Sequence, residues 1–227
     1  MIEKEELGIK NYIVYQDAAL YHFTSDAILL SRFAVAKKGD NVADFCSGSG
    51  IVGFNFFALN EDKIKSVTLF EMQKELYDLS VKSVADNNLT EKFTCVNTKV
   101  QEMGIEYNGA FSLILCNPPF VKMNAGYKTN EQKTEFDKIQ VCKEEITLTF
   151  SELCIAVKKA LKSGGRFCIV HRADRVAELI TVLSNNKLEP KRIQFVTGTD
   201  KKSPYLVLIE AVKDAKCGVT VLSNLTN

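Results

Sequence analysis

Short apolar runs alternate with stretches of helical period along most of this 227-residue chain. NVADFC (41–46) is the first such run, and the pattern after it opens a helix near Gly50. KSVTLFE (65–71) predicts a second strand, and over 73–86 Leu76, Leu79 and Val84 fall on one helical face. FTCVN (93–97) and FSLILCN (111–117) predict a third and a fourth strand. After a long polar interval, Ile146, Phe150, Leu153, Val157 and Leu161 recur at three- and four-residue spacings, and Ser163-Gly164-Gly165 supplies a helix stop. GRFCIVH (165–171) predicts a fifth strand, a helix over 174–186 leads to PKRIQFV (190–196), and YLVLIEAV (205–212) follows. Those last two runs are joined by too few residues for a crossover helix, so they should pair antiparallel. Repeated βα units require a parallel sheet covered on both faces. The expected fold is α/β: a seven-stranded, mostly parallel sheet with an antiparallel last strand and helices on both faces.

Composition narrows this picture without redirecting it. The chain is 46% hydrophobic and 25% charged, which excludes a disordered chain. No internal repeat and no Pro/Gly-rich linker divides it, so residues 1–227 are expected to form one domain. The start, MIEKEELGIK, lacks the apolar run of a secretory signal, and no long uncharged apolar stretch follows, so a soluble, cytoplasmic protein without membrane contact is expected. The seven cysteines form no CxxC pair, and Cys46, Cys95, Cys116 and Cys168 sit in apolar runs, the pattern of reduced core residues. His22 and His171 are the only histidines and have no neighbouring ligand pattern, so no metal is expected.

Charge is uneven. The net charge is +1, yet residues 1–117 hold 11 Lys/Arg against 16 Asp/Glu, whereas residues 158–202 hold 11 against 4. The second half therefore offers a positive face able to meet phosphates.

The first loop, ADFCSGSGIVG (43–53), satisfies G-x-G-x-x-G through Gly48, Gly50 and Gly53, with Glu71 at the end of the second strand. That much fits a dinucleotide fold. Asp44 tilts the choice, because a carboxylate just ahead of the turn suits a ligand with a cationic end rather than a pyrophosphate. S-adenosylmethionine carries an ammonium and a sulfonium and no phosphate, and Glu71 can accept from its ribose hydroxyls. D-x-x-x-G-x-G followed by an acid thus resembles the class I S-adenosylmethionine-dependent methyltransferases more than nicotinamide enzymes.

Asn117-Pro118-Pro119-Phe120 follows the fourth strand, where open α/β sheets place their ligands. Proline fixes its own φ and biases the preceding residue to an extended shape, so Asn117 and Pro118 are both held. The amine of a nucleobase is a poor nucleophile, because its lone pair is delocalised into the ring. The Asn117 side-chain oxygen and the Pro118 backbone oxygen can bind its two N–H protons and favour the pyramidal form, while Phe120 stacks on the ring. Positioning then supplies most of the acceleration, and no strong general base is required.

Six stretches resemble the bacterial tRNA(Val) adenine-N6 methyltransferases: Q-x6-F-T-S-D-A-I-L-L (16–30), DFCSGSG (44–50), LILCNPPF (113–120), VHRADR (170–175), EPKRIQFV (189–196) and LIEAVK (208–213). The resemblance implies that Phe23, Thr24 and Asp26, in an amino-terminal element spanning 1–40, close over the methionine end of the cofactor, with 41–227 as the catalytic core. It also implies cofactor contacts from Asp44, Cys46, Gly48, Ser49 and Gly50, from Glu71 and Met72, from Thr98 and Val100, and from Asn117. Thr98 stands where the family usually has an acid, and the end, TVLSNLTN, lacks the family's proline-containing finish.

The implied substrate is an adenine in tRNA, beside the anticodon, which must be looped or flipped out to reach Pro118. The interval 121–143, with five lysines against three acids, is longer than the roughly 12–15 residues beyond which structureless loops are uncommon, and is read as a lid. Arg172, Arg175, Lys191, Arg192, Lys201 and Lys202 are the candidates for phosphate contact, on the pocket side of the sheet. Asn-Pro-Pro also pairs with any planar NH2, so a protein glutamine or a DNA adenine methyltransferase fits the motif, and an idle cofactor-binding subunit is the non-enzyme alternative.

Overall fold

The computed structural model describes residues 2–17, 25–118, 148–199 and 201–227. The core strands are β3 (Asp40–Phe45), β4 (Ile64–Glu71), β5 (Phe93–Asn97), β6 (Phe111–Cys116), β7 (Leu161–Arg172), β8 (Leu188–Thr197) and β9 (Pro204–Lys213). They lie side by side in the order β5–β4–β3–β6–β7–β9–β8. β3 to β7 pair parallel, and β9 alone runs against both its neighbours, β7 and β8. The expected antiparallel last strand is present, inserted between β7 and β8 rather than added at the margin.

Helices α1 (Ser25–Phe33), α2 (Ile51–Asn60) and α3 (Lys74–Asp86) cover one face of the sheet, and α4 (Phe150–Ala160) and α5 (Val176–Asn185) the other. The central strands are consequently buried on both sides. In β6 Leu113 and Leu115 join the α1–α2 core, while Ile114 and Cys116 join the α4–α5 core. α4 begins on a capping box, in which Thr149 and Glu152 satisfy each other's backbone N–H groups. It stops at Ala160, one residue before the expected Leu161, which is already extended as the C-cap. Ile146, the first residue of the helical period, lies outside the described residues.

Two features have no counterpart in the sequence pattern. β1 (Ile2–Glu6) and β2 (Ile13–Asp17) form an antiparallel hairpin. It docks on α3, where the Ile13 and Tyr15 amides donate to Asn87 Oδ1 (2.9 Å) and Ser83 Oγ (3.0 Å). The tail folds back as β10 (Thr220–Val221) and β11 (Leu225–Thr226), both parallel to β8.

Candidate active site

Strands β3, β4, β6 and β7 end at Phe45, Glu71, Cys116 and Arg172 along one edge of the sheet. Phe45 is the register partner of both Phe70 and Cys116, and Cys116 that of Ile169. The glycine loop, Glu71, Asn117 and the HRADR segment therefore emerge together at the carboxyl edge, where open α/β sheets hold ligands.

The loop after β3 is tightly wound. Cys46, Gly48 and Gly50 take positive φ of 57°, 57° and 92°. For Cys46, a non-glycine residue, that conformation is strained. The Ser47 amide donates to Phe70 O (3.0 Å) and the Gly50 amide to Ser47 O (2.8 Å). Gly53 answers a different need: a Cβ there would stand 2.7 Å from Leu69 Cδ2 and 3.3 Å from Asp44 Oδ2, so only glycine lets α2 approach the sheet. Glu71 braces the loop, its Oε2 accepting from the Gly48 amide and its Oε1 from the Gln73 amide, each at 2.8 Å. Burial pushes the Glu71 carboxyl up, against those N–H groups, which favour the anion.

Asp44 is fully buried, and its Oδ2 accepts from the Gly53 amide (2.9 Å) in the first turn of α2. Burial pushes its pKa up to about 8; the Gly53 N–H opposes this and the Glu71 charge adds to it. A buried carboxyl holding its proton near neutrality departs from the simple counter-charge expected, because β3 carries Asp44 into the sheet and α2 shields it from water. Two buried side-chain oxygens among the described residues lack a hydrogen-bond partner, Asp44 Oδ1 and Ser47 Oγ, and both belong to this loop. Unpartnered buried polar atoms are rare and costly, so their pairing here fits a loop built to receive a polar ligand with a cationic end. The residues present thus fit S-adenosylmethionine.

The remaining candidates surround this loop. Cys46 is half-buried and Ser49 buried within it. Met72 is 37% exposed beyond Glu71, the Thr98 amide donates to Glu71 O (3.1 Å), and the buried Val100 opens a short 3₁₀ turn. Asn97, which the sequence did not single out, donates to Glu71 O (2.8 Å) and Met72 O (3.1 Å) and so ties β5 to the bracing acid. Its signal was only its place at a strand end. Asp26 stands half-buried in the first turn of α1. Asn117 is half-buried and Pro118 buried immediately after β6. Phe23, Thr24, Pro119, Phe120 and the 121–143 lid lie outside the described residues. Cys116 lies within reach of the Cys46 and Cys154 thiols, and burial with those neighbours pushes its thiol well up, so it stays protonated.

The basic candidates divide into two groups. Arg172 ends β7 and pairs with Asp174; Arg175 follows, its guanidinium on Glu178 (2.8 and 3.1 Å) and 3.3 Å from His171 Nε2. Lys201 and Lys202 occupy the β8–β9 turn, where Val196 and Arg172 are both partners of Leu206, so the turn opens at the same edge. Lys191 and Arg192 do not reach it. Arg192 shares Glu210 as register partner with Cys168, four residues short of the end of β7, and the Lys191 ammonium donates to Lys216 O (3.0 Å). Their expected place beside the pocket is therefore corrected: β8 has five further residues to run before the carboxyl edge. His171 is fully buried, and burial first, then Arg175, lowers its pKa to about 3, so it is neutral. Among the described residues no three metal-ligating side chains converge, and no helix is long and apolar enough to cross a membrane.

Residues 23–135 match the family model of the methyltransferase small domain. That stretch, which takes in the glycine loop, Glu71 and Asn117, is similar to the methyltransferase small domain. Curated relatives named tRNA1(Val) (adenine(37)-N6)-methyltransferase include the Flavobacterium psychrophilum protein, 22% identical over 85% of this chain and 79% of its own length. The Dyadobacter fermentans protein of that name is 23% identical over 73% of this chain and 64% of its own length. Among solved structures, a predicted O-methyltransferase from Agrobacterium tumefaciens superposes with a TM-score of 0.68 at 18% identity, covering 88% of this chain and 86% of that one. P. horikoshii TYW2 in complex with MeSAdo gives a TM-score of 0.63 at 12% identity over 94% of this chain and 72% of that one. The chain thus has a class I methyltransferase fold.

Proposed function

We propose that this protein uses S-adenosylmethionine to methylate the N6 amine of an adenine in tRNA, the one beside the anticodon of tRNA(Val); its relatives' names specify adenine(37) of tRNA1(Val). The observation that carries this reading is the register of Phe45 with Cys116, which sets the two unpartnered oxygens of the glycine loop one strand away from Asn117 and Pro118. S-adenosylmethionine, when bound, supplies a methyl group already activated on a sulfonium. Everything else falls to the chain. Asp44 and Ser47 offer oxygens to the cofactor's polar groups, and Glu71, though occupied by two amides, keeps lone pairs for ribose hydroxyls. The Asn117 and Pro118 oxygens accept the two amine protons and aim the nitrogen lone pair, and Phe120 stacks on the base. Neutral His171 is committed to the Arg172 amide (2.8 Å) and is not a base for the reaction. Arg172, Arg175, Lys201 and Lys202 meet phosphates flanking the extruded base, the sequence-independent part of recognition. With a tRNA substrate, the cytoplasm is the protein's expected place of action.

The test is to incubate the protein with methyl-labelled S-adenosylmethionine and tRNA lacking the modification, then digest to nucleosides. Label in N6-methyladenosine is expected. Label confined to protein, with tRNA left bare, would refute the assignment.

A further inference from the structure

EPKR, one of the stretches that set this sequence apart, places an arginine where a phosphate contact was expected, and the structure gives that arginine other work. The Arg192 guanidinium donates through Nη2 to the Phe33 carbonyl (2.9 Å) and through Nη1 to Glu210 Oε2 (3.1 Å). It also lies over the Phe33 ring, 4.5 Å from the centroid. Phe33 is the last residue of α1, so the charge sits where a helix presents unsatisfied carbonyls and the negative end of its dipole. Glu210 is buried, and the Cys168 thiol, 3.7 Å away, donates to its same Oε2. A guanidinium held by a buried carboxylate, a helix terminus and an aromatic ring is already committed.

What it holds leads to the cofactor loop. α1 packs on α2, and the Asn55 amide of α2 donates to Ser31 Oγ of α1. α2 opens at Gly50, and Gly53 in its first turn donates to Asp44. We infer that Arg192 is a positioning residue for cofactor binding: it pins the carboxyl end of α1 to the sheet and, through α1 and α2, holds the glycine loop in place, instead of contacting RNA. The far end of α1 is tied as well, since Asn227 Nδ2 donates to Ser25 Oγ (3.1 Å).

This inference rests on the cofactor proposed above, and the experiment separates the two. Arg192→Lys keeps the positive charge but loses the fork; Glu210→Gln leaves the arginine in place and removes its buried counter-charge. Each variant and the wild type are titrated with S-adenosylhomocysteine by calorimetry at a temperature where all are folded, and with tRNA by filter binding across a salt series. The expected result is a Kd for S-adenosylhomocysteine raised about fivefold in both variants, the lower end of what coupled sites show. The tRNA affinity and its salt slope should stay unchanged. Unaltered S-adenosylhomocysteine affinity in both variants, even with a lowered Tm, overturns the inference and leaves Arg192 merely structural. So does a tRNA salt slope reduced by about one in a third variant, Arg192→Gln, which removes the charge: that is the mark of a lost phosphate contact. A wild type that does not bind S-adenosylhomocysteine sinks the cofactor reading and this inference with it, whereas wild-type binding with unaltered variants sinks this inference alone.

Discussion

Asp44 lets a charge in the site be read as stability against pH. Its carboxyl titrates near 3.8 when exposed and at about 8 in the fold, because burial disfavours the anion. Below the lower value both states hold the proton and the group contributes nothing. Between the two values the unfolded chain releases the proton and the folded chain keeps it, so stability falls as pH rises, by about 1.4 kcal/mol per pH unit; above the folded value the loss is complete. Asp44→Asn keeps an acceptor for the Gly53 amide and removes the titration. Whatever constant offset its buried NH2 introduces, the variant should gain on the wild type by on the order of 4 kcal/mol between pH 5 and pH 8. Urea denaturation of both proteins in steps across pH 5 to 9 measures that difference. A gap that stays constant within about 1 kcal/mol across this range would refute the reasoning, since the proton could then not be held as described. The same chemistry predicts that S-adenosylmethionine, by bringing a positive charge near Asp44, releases a proton on binding at pH 7. Calorimetry in buffers of different ionisation enthalpy would show it in the wild type and not in Asp44→Asn.

Other substitutions test the remaining parts. Asn117→Ala should lower methyl transfer to tRNA by at least about a hundredfold while S-adenosylhomocysteine binding persists, as when an oxyanion-hole side chain is removed; transfer that survives would end the amine-aiming role. Gly53→Ala forces a Cβ against Leu69 and should destabilise by roughly 1–3 kcal/mol in urea denaturation, with weaker cofactor binding. His171, held neutral in the fold, should make the wild type lose stability relative to His171→Gln as pH falls from 6.5 to 5, by roughly 2 kcal/mol. Parallel acid curves for the two proteins would contradict it. Thr149→Ala removes the capping box of α4 and should cost about 1 kcal/mol in Tm-derived stability without altering cofactor affinity.

The central strands β3, β4 and β6 were legible because they are buried on both faces and so read as largely apolar runs. FTCVN is assigned to the residue, and FSLILC ends one residue earlier than expected. The glycine loop was legible for the same local reason: its conformation is dictated by positive φ and by close approach, needs that only particular residues meet. The hairpin at the amino end was not. IEKEE has no apolar alternation, and its partner strand buries Val14 and a glutamine, Gln16, so its stability derives from α3, some seventy residues away. Arg192 misled for a related reason. A guanidinium looks alike on a strand whether it will meet phosphate or protein, and Phe33 and Glu210 lie 159 and 18 residues distant.

The direction of β9 decides which of these cations can serve a substrate. Because β9 runs against β8, the turn joining them must open at the carboxyl edge, and its pairing with β7 sets that turn next to Arg172. A parallel final strand would have required a crossover and sent its connection over a face of the sheet, leaving the rim beside Asn117 without Lys201 and Lys202. The same register holds Lys191 and Arg192 below the rim, in reach of the tail and of α1. The six basic candidates of residues 158–202 are thus two populations, one at the edge where an extruded base would enter, the other spent on holding α1 and the tail. Exchanging Lys201 and Lys202 for Gln should therefore flatten the salt dependence of tRNA binding by about two, and the same exchange at Lys191 should leave it unmoved.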